Sequence, residues 1–396
     1  MGKHGKKNVF KKLFILFTTL IIISLGTFYG ITLYKEGKNK RLESLKQKQA
    51  QEEKVRKAEE ERRKKEEEEN REKKISLIAG GDCLIHNSVY EAARVKGGFD
   101  FKPMLENIKP IVQKHDLAYY NQETILAGDE LPLSNYPMFC SPTQVGDAFI
   151  DAGFNIVSLA NNHTLDKGSK GVDASMRYWN KKKDQVMFHG SASSEEEANR
   201  IDIREKNGIK YTMLSYREEA LSNGLYPKRP YEVNIYSKER AKKQIERVRD
   251  KVDVVIVAIH WGWENRSDIS PNQKKIAKEL SEMGVDIILG NHSHIIQPIE
   301  RINKTVVVYS MGNFISSQFP TDNLIGGLTS MDIKLKKGEL TIDNIEARLM
   351  FTKKSNKFKL IPFDKLTNND LPGKDVYFNK YSKILTSLLS DVKVVK

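Results

Sequence analysis

Five of the eight histidines in this chain, His86, His163, His260, His292 and His294, follow closely on short apolar runs that read as β-strands. Each stands among other groups that carry lone pairs. The clusters are Asp82 with His86; Asn121-Gln122-Glu123; Asn161-Asn162-His163 with Asp166; His260 with Glu264; Asn291-His292-Ser293-His294; and Ser310-Met311-Gly312-Asn313. Imidazole nitrogen and carboxylate or amide oxygen suit divalent metals, and no thiolate is required. Such ligands can hold two ions about 3.5–4 Å apart, activating water while clamping a phosphoryl oxygen. A lone histidine after a strand is more often a cap or surface residue. Recurrence at one strand end after another points instead to a shared site. His189 also lies near a strand end, whereas His4 and His115 do not fit the pattern.

The elements that must position these groups are legible as alternating patterns. Strands are expected at 75–80, 117–120, 155–159, 186–189, 211–215, 252–259, 285–289 and 305–309. Helices are expected at 102–114, 142–152, 172–183, 238–250 and 272–283. Strands alternating with helices imply α/β layers, and a run such as Val254-Val255-Ile256-Val257-Ala258-Ile259 reads as a strand covered on both faces. Alternating segments between 328 and 364 predict antiparallel strands, and 376–392 a terminal helix. In open α/β sheets the ligand site lies beyond the carboxyl ends of the strands, which is where the polar clusters fall.

The first 74 residues differ from the rest. They carry 21 Lys/Arg and 12 Asp/Glu, hence +9 of the formal +14, which leaves +5 for residues 75–396. That mild excess argues against a nucleic-acid binder and is compatible with a polyanionic ligand. Residues 13–34 are 22 uncharged residues, long enough to cross a bilayer core of roughly 30 Å. No small-x-small cleavage site follows, so the segment reads as a retained anchor contacting membrane lipid, with residues 1–12 as a basic cytoplasmic tail. Residues 35–74 are rich in Lys, Arg, Glu and Gln, with acid-first i,i+4 pairs such as Glu53/Lys57 and Glu60/Lys64. They read as a charged stalk, helical or disordered. Cys83 and Cys140 are read as two unpaired thiols.

Six segments taken in order carry a family resemblance: Gly80-Gly81-Asp82, Asn121-Gln122-Glu123, residues 160–171, 260–264, 290–300 and Tyr309-Ser310-Met311-Gly312-Asn313-Phe314. At these positions the chain resembles the CapA family, associated with poly-γ-glutamate capsule synthesis. The resemblance implies a four-layer α/β/β/α sandwich of the metallophosphoesterase-like type over 75–330, extended by residues 331–396. It further implies a role in making, exporting or anchoring poly-γ-glutamate or a similar polyanion, beside membrane polymer-synthase subunits. Carried over residue by residue, it implies Asp82, Glu123, Asn162, His260, His292 and His294 as ligands of one or two divalent ions (Mn, Zn, Fe or Mg). His86, Asn121 and Asn313 are additional candidates. His163 is expected as a proton donor or phosphate contact, with Asp166 and Glu264 as further catalytic groups. A metal-dependent phosphoesterase or amide hydrolase and a non-catalytic scaffold are the other functional readings.

Overall fold

The computed structural model describes residues 4–396. The chain divides into two compact units, one ending at Arg71 and the other spanning Glu72–Lys396.

The first unit is one α-helix, His4–Asn70, of 67 residues, and at 1.5 Å per residue about 100 Å long. Among the described residues it is the one helix long and apolar enough, by length and composition, to cross a membrane. Within the apolar run the hydroxyls of Thr18, Thr19, Ser24, Thr27 and Thr32 each donate to a carbonyl three or four residues earlier. These hydroxyls therefore need no water. Further along, Glu53–Lys57 and Glu60–Lys64 pair at 2.9 Å, and Arg63 reaches Glu67 at 3.4 Å. Such exposed, solvent-screened pairs give only a small support to a stretch of helix with no apolar face to bury. For 35–74 the sequence leaves helix and disorder both open; the structure is helical to Asn70, and Lys73 and Lys74 already belong to the strand Lys73–Cys83.

The second unit holds two large sheets. In the nine-stranded sheet the path runs Lys359–Pro362, Glu339–Lys353, Ile325–Lys336, Lys73–Cys83, Leu117–Gln122, Ile156–Ser158, Met187–His189. Asn313–Ile315 adds to Lys73–Cys83, and Lys393–Val395 adds to Glu339–Lys353. The six-stranded sheet runs Ile299–Ile302, Thr305–Val308, Ile287–Asn291, Val254–His260, Ile209–Arg217, Arg204–Lys206.

The core shows how the layers stack. Leu77, Tyr119 and Ile156 of the larger sheet share one buried cluster with Met213, Ile256, Leu289 and Val308 of the smaller. The opposite face, Ile78, Tyr120 and Val157, packs against Phe149, Met176 and Trp179 from the helices Gln144–Ala152 and Gly168–Lys181. Val255, Val257 and Ile288 likewise meet Ile245, Val248, Ile276 and Leu280 from Lys238–Arg249 and Pro271–Glu282. Successive strand residues thus face different layers, and the result is a four-layer α/β/β/α sandwich with an apolar seam between the sheets.

Two expected elements come out differently. The helix expected over 102–114 is two short turns, Lys102–Leu105 and Lys109–Val112, each with a proline in its first two positions. Proline is tolerated where a helix begins and not where one continues, so Pro110 starts a second helix. The terminal helix ends at Leu385, and Lys393–Val395 returns as a strand parallel to Glu339–Lys353. There Val392 is buried in the inter-sheet core with Val394 packed against it. Both cysteines are free and buried.

Two glycines let backbones meet at the carboxyl ends of the strands. A Cβ on Gly81 would stand 1.8 Å from the Gly312 carbonyl oxygen, and one on Gly290 would stand 2.0 Å from that of Tyr309. The Gly312 carbonyl in turn accepts the Asp82 amide at 3.0 Å.

Candidate metal centre

Asp82 lies near the end of Lys73–Cys83, with Asn121 beside it on one neighbouring strand and Asn313 on the other. Its Oδ1 accepts the Asn121 side-chain amide at 2.8 Å, and its Oδ2 accepts the His292 backbone amide at 3.1 Å. The second contact joins the two sheets. His292 and His294 both have positive φ, +94° and +56°, a region that non-glycine residues rarely occupy outside sites that over-determine them. The loop after Ile287–Asn291 therefore folds back over Asp82 at some conformational cost.

The hydrogen bonds fix which imidazole nitrogen faces the centre. The Asn313 amide group donates to Gln318 at 2.7 Å and to the Asn323 carbonyl at 2.8 Å, so its Oδ1 is turned to His294 Nδ1, 3.0 Å away. Asp82 Oδ2 lies 3.2 Å from the same nitrogen. His294 Nδ1 thus carries the proton, and Nε2 looks towards Glu123 Oε1 at 3.7 Å. Metal-binding histidines show this division, with one nitrogen donated to an oxygen and the other left for the ion. His260 Nε2 is 2.8 Å from Asn162 Oδ1, 3.1 Å from His292 Nδ1 and 3.6 Å from Glu123 Oε1.

Glu123 follows the strand Leu117–Gln122 and is buried, with neither carboxylate oxygen hydrogen-bonded within the described residues. One ligand atom from each of Glu123, His292 and His294 fits within 4.8 Å of the others. A buried acid without donors, ringed by imidazoles, is the donor set a divalent cation satisfies, so these residues fit the expected metal. The electrostatics agree. Burial pushes Glu123 well above the usual carboxylate range; the neighbouring His294 opposes that rise and the Asp82 charge adds to it. Burial lowers His260 and His292 well below 6.5, helped by the neighbouring imidazoles, which keeps both neutral. Burial also works against a charged His294, but Glu123 and Asp82 outweigh it and lift that imidazole to about 9.

His163 sits at the rim on the turn after Ile156–Ser158. The Asn161 side chain accepts the His163 amide at 2.9 Å and donates to the Gln122 carbonyl at 2.9 Å. Asp166 Oδ2 lies 2.8 Å from His163 Nδ1 and also accepts the Phe139 amide at 2.6 Å. The Phe139 ring stands edge-on to the imidazole at 4.7 Å.

Of the residues singled out in the sequence, Asp82, Asn121, Glu123, Asn162, His260, His292, His294 and Asn313 form one connected buried group. His163 and Asp166 form a dyad beside it. His86 is not hydrogen-bonded to that group, since its Nδ1 is 3.2 Å from the Leu84 carbonyl; it lies close enough that His294 and His163 add to the burial that lowers its imidazole to about 4. Glu264 is exposed at the edge. Sequence reasoning missed Arg217, which ends the strand Ile209–Arg217 next to His260 and is 1% exposed. The same post-strand rule could have found it, since Arg217-Glu218-Glu219 follows an expected strand as the histidine clusters do.

Residues 76–318 match the family model described as bacterial capsule synthesis protein PGA_cap. The chain is 25% identical over 257 residues to "Capsule biosynthesis protein CapA" of Bacillus anthracis, covering 62% of this chain and 61% of that one. It is 30% identical over 168 residues to "PGA biosynthesis protein CapA" of Bacillus subtilis (strain 168), covering 42% and 44%. The matches thus span less than two thirds of either relative's length. Among solved structures, it is similar to a phosphatase of Mycoplasma pneumoniae at 15% identity and a TM-score of 0.43, covering 70% of this chain and 94% of that one.

Proposed function

The chain belongs to the bacterial capsule synthesis protein family PGA_cap, and from that membership we propose that its globular unit acts in capsule biosynthesis through a divalent-metal centre. The substrate in this reading is poly-γ-glutamate or a similar polyanion. The observation that carries the proposal is Glu123, whose two buried oxygens have no donor among the described residues while His260 and His294 approach Oε1 at 3.6 and 3.7 Å. Glu123, His260, His292 and His294 would hold the ion, with Asp82 and Asn162 completing the set. A bound Mn, Zn, Fe or Mg ion would supply electrostatic stabilisation of negative charge on a substrate oxyanion.

The remaining work belongs to the chain itself. Asp82 orients the His292 loop through its backbone amide, and Asn313 fixes the His294 tautomer. Asp166 holds the His163 proton on Nδ1, so Nε2 is free to accept or return a proton at the rim. That dyad favours a second reading, hydrolysis of a phosphate ester or an amide-linked polymer, within the same site.

The apolar helix motivates the rest of the proposal: anchorage in the cytoplasmic membrane, the basic N terminus inside, the globular unit outside beside polymer-synthase subunits. Protease added to intact, wall-stripped cells should then remove the C-terminal region; protection until lysis would reverse the topology. The functional test compares surface polymer in wild-type, deletion and Asp82→Ala strains, with metal content of each purified protein. Polymer lost in the deletion and in Asp82→Ala supports the metal-centred role. Full rescue by Asp82→Ala would leave a scaffold, and unchanged capsule in the deletion would refute the capsule role.

A further inference from the structure

Arg217 is the last residue of Ile209–Arg217, and its partner across the parallel ladder is His260. Partners in a parallel ladder project to the same face of the sheet, so the Arg217 side chain leaves on the side where His260 meets Asn162 and His292. Its backbone is held from both sides: the amide donates to the Asn234 carbonyl at 3.0 Å, and the carbonyl accepts the Tyr236 amide at 2.8 Å. The residue cannot easily move, and it is 1% exposed. Yet Nε, Nη1 and Nη2 all lack a hydrogen-bond partner among the described residues.

The acids nearest in sequence do not answer it. Glu218 accepts the Gly262 amide at 2.8 Å through Oε2 and the Asn272 side chain through Oε1, and Glu219 is exposed. Elsewhere the fold pairs its arginines: Arg229, whose side chain is 31% exposed, binds both Asp173 and Glu232. The more deeply buried cation is the one without a counter-charge. Guanidinium stays protonated and offers five N–H donors in a planar fork. Removing it from water with nothing to accept those donors is costly, and a carboxylate or phosphate matches the fork two bonds at a time.

We propose that Arg217 is the anion-receiving residue of this site, binding an oxyanion of the substrate, carboxylate or phosphate, beside the group formed by Glu123, His260, His292 and His294. This rests on reading that group as a substrate site, but it does not require that a metal be bound. The loop that leaves at Arg217 and returns at Asn234 also reaches the site, since the Asn223 side chain donates to the Asn162 carbonyl at 3.4 Å. Arg217 therefore stands at the fixed start of a segment that contacts one of the proposed ligand residues.

The test uses the full chain in detergent, with inorganic phosphate and a short γ-linked glutamate oligomer as separate probes. The readouts are the thermal unfolding midpoint and metal content. In the wild type at least one probe should raise the midpoint, and the more effective probe identifies phosphate or carboxylate as the recognised group. Arg217→Met should lose that response and keep its metal, with an unliganded midpoint no lower than wild type because an unpaired buried charge is gone. Arg217→Lys, which keeps charge but not the fork, should bind about tenfold more weakly, and it carries the test if the Met variant fails to fold. No response in the wild type to either probe, or an undiminished response in Arg217→Lys or Arg217→Met, overturns the proposal. A wild type without metal that still binds a probe through Arg217 refutes the metal centre and leaves this inference standing.

Discussion

Asp82 lies in a strand of one sheet and His292 in the loop that follows a strand of the other, and the Asp82 carboxylate accepts the His292 backbone amide at 3.1 Å. The same Oδ2 lies 3.2 Å from His294 Nδ1. One carboxylate thus positions the loop carrying both histidines, so substitutions here should separate ligand placement from ligand loss.

Asp82→Ala is expected to lower metal content as much as His292→Ala, although the two remove different atoms. Elemental analysis of the purified chains checks this, with His115→Ala as a distant control. Asp82→Asn should retain part of the metal, because one amide oxygen can still accept the His292 N–H.

Glu123→Gln should abolish metal binding while making the metal-stripped protein more stable. It replaces a buried acid that has no donor, and relief of that desolvation is worth about 1–3 kcal/mol. Denaturant titration in chelator reads the stability, and metal analysis reads the loss. A Gln variant less stable than stripped wild type would show that Glu123 has a structural partner after all.

Metal uptake should release at least one proton near neutral pH. Despite burial, the Glu123 carboxylate and Asp82 hold His294 up to about 9, and that imidazole must shed a proton to act as a ligand. Apparent affinity should therefore rise about tenfold per pH unit, per displaced proton, between pH 6 and 8. Stripped protein should show the opposite trend in stability from this group. A folded value of about 9 against an ordinary 6.5 contributes stability fully present below about 6.5 and lost as pH rises through about 9. Proton release on metal titration, and thermal midpoints in chelator across pH 6–9, measure the two.

His163→Ala and Asp166→Asn should leave metal content unchanged and reduce hydrolysis of a model phosphodiester by about 10²–10⁴-fold. The Phe139 amide and His163 Nδ1 meet the same oxygen, Asp166 Oδ2, so an asparagine whose oxygen takes that place still accepts from both. What that variant loses is the carboxylate charge that steadies the imidazolium formed when His163 takes up a proton. Equal losses in both variants with intact metal would assign the dyad to proton transfer; loss of metal in either would assign it to structure.

Gly81→Ala should prevent folding or cost upwards of about 3 kcal/mol, because the new methyl would sit 1.8 Å from the Gly312 carbonyl oxygen. Denaturant unfolding or soluble yield reads the outcome, and Gly338→Ala, where nothing lies within 4 Å, is the comparison for a glycine at positive φ.

What was legible in the sequence divides along the kind of signal. Strand ends were legible because buried parallel strands give continuous apolar runs that stop abruptly at polar residues, as Ile259-His260 and Leu289-Gly290-Asn291 do. The site residues could be named because they follow such stops. Which of them meet could not be read that way. His86 and Asp82 are four residues apart, yet Asp82 joins the histidine group and His86 bonds back to Leu84. The Asn313–Gln318–Asn323 contacts that set the His294 tautomer depend on a turn rather than a periodicity. Nothing in the sequence marks Arg217 as buried, because its burial comes from segment 234–236 pairing back onto it.

The two glycine contacts change what the recognisable strings in this sequence mean. Gly80-Gly81-Asp82 and Tyr309-Ser310-Met311-Gly312-Asn313 are far apart in the chain, but Gly81 and Gly312 are two sides of one clearance, as are Gly290 and Tyr309. The spelling that marks the family thus partly records where two main chains must pass without side chains between them. A descendant that had lost every metal ligand would still need those glycines to close its sheets. The glycines of these strings therefore certify an architecture, while the lettering at 82, 123, 162, 260, 292, 294 and 313 bears on whether the centre can operate.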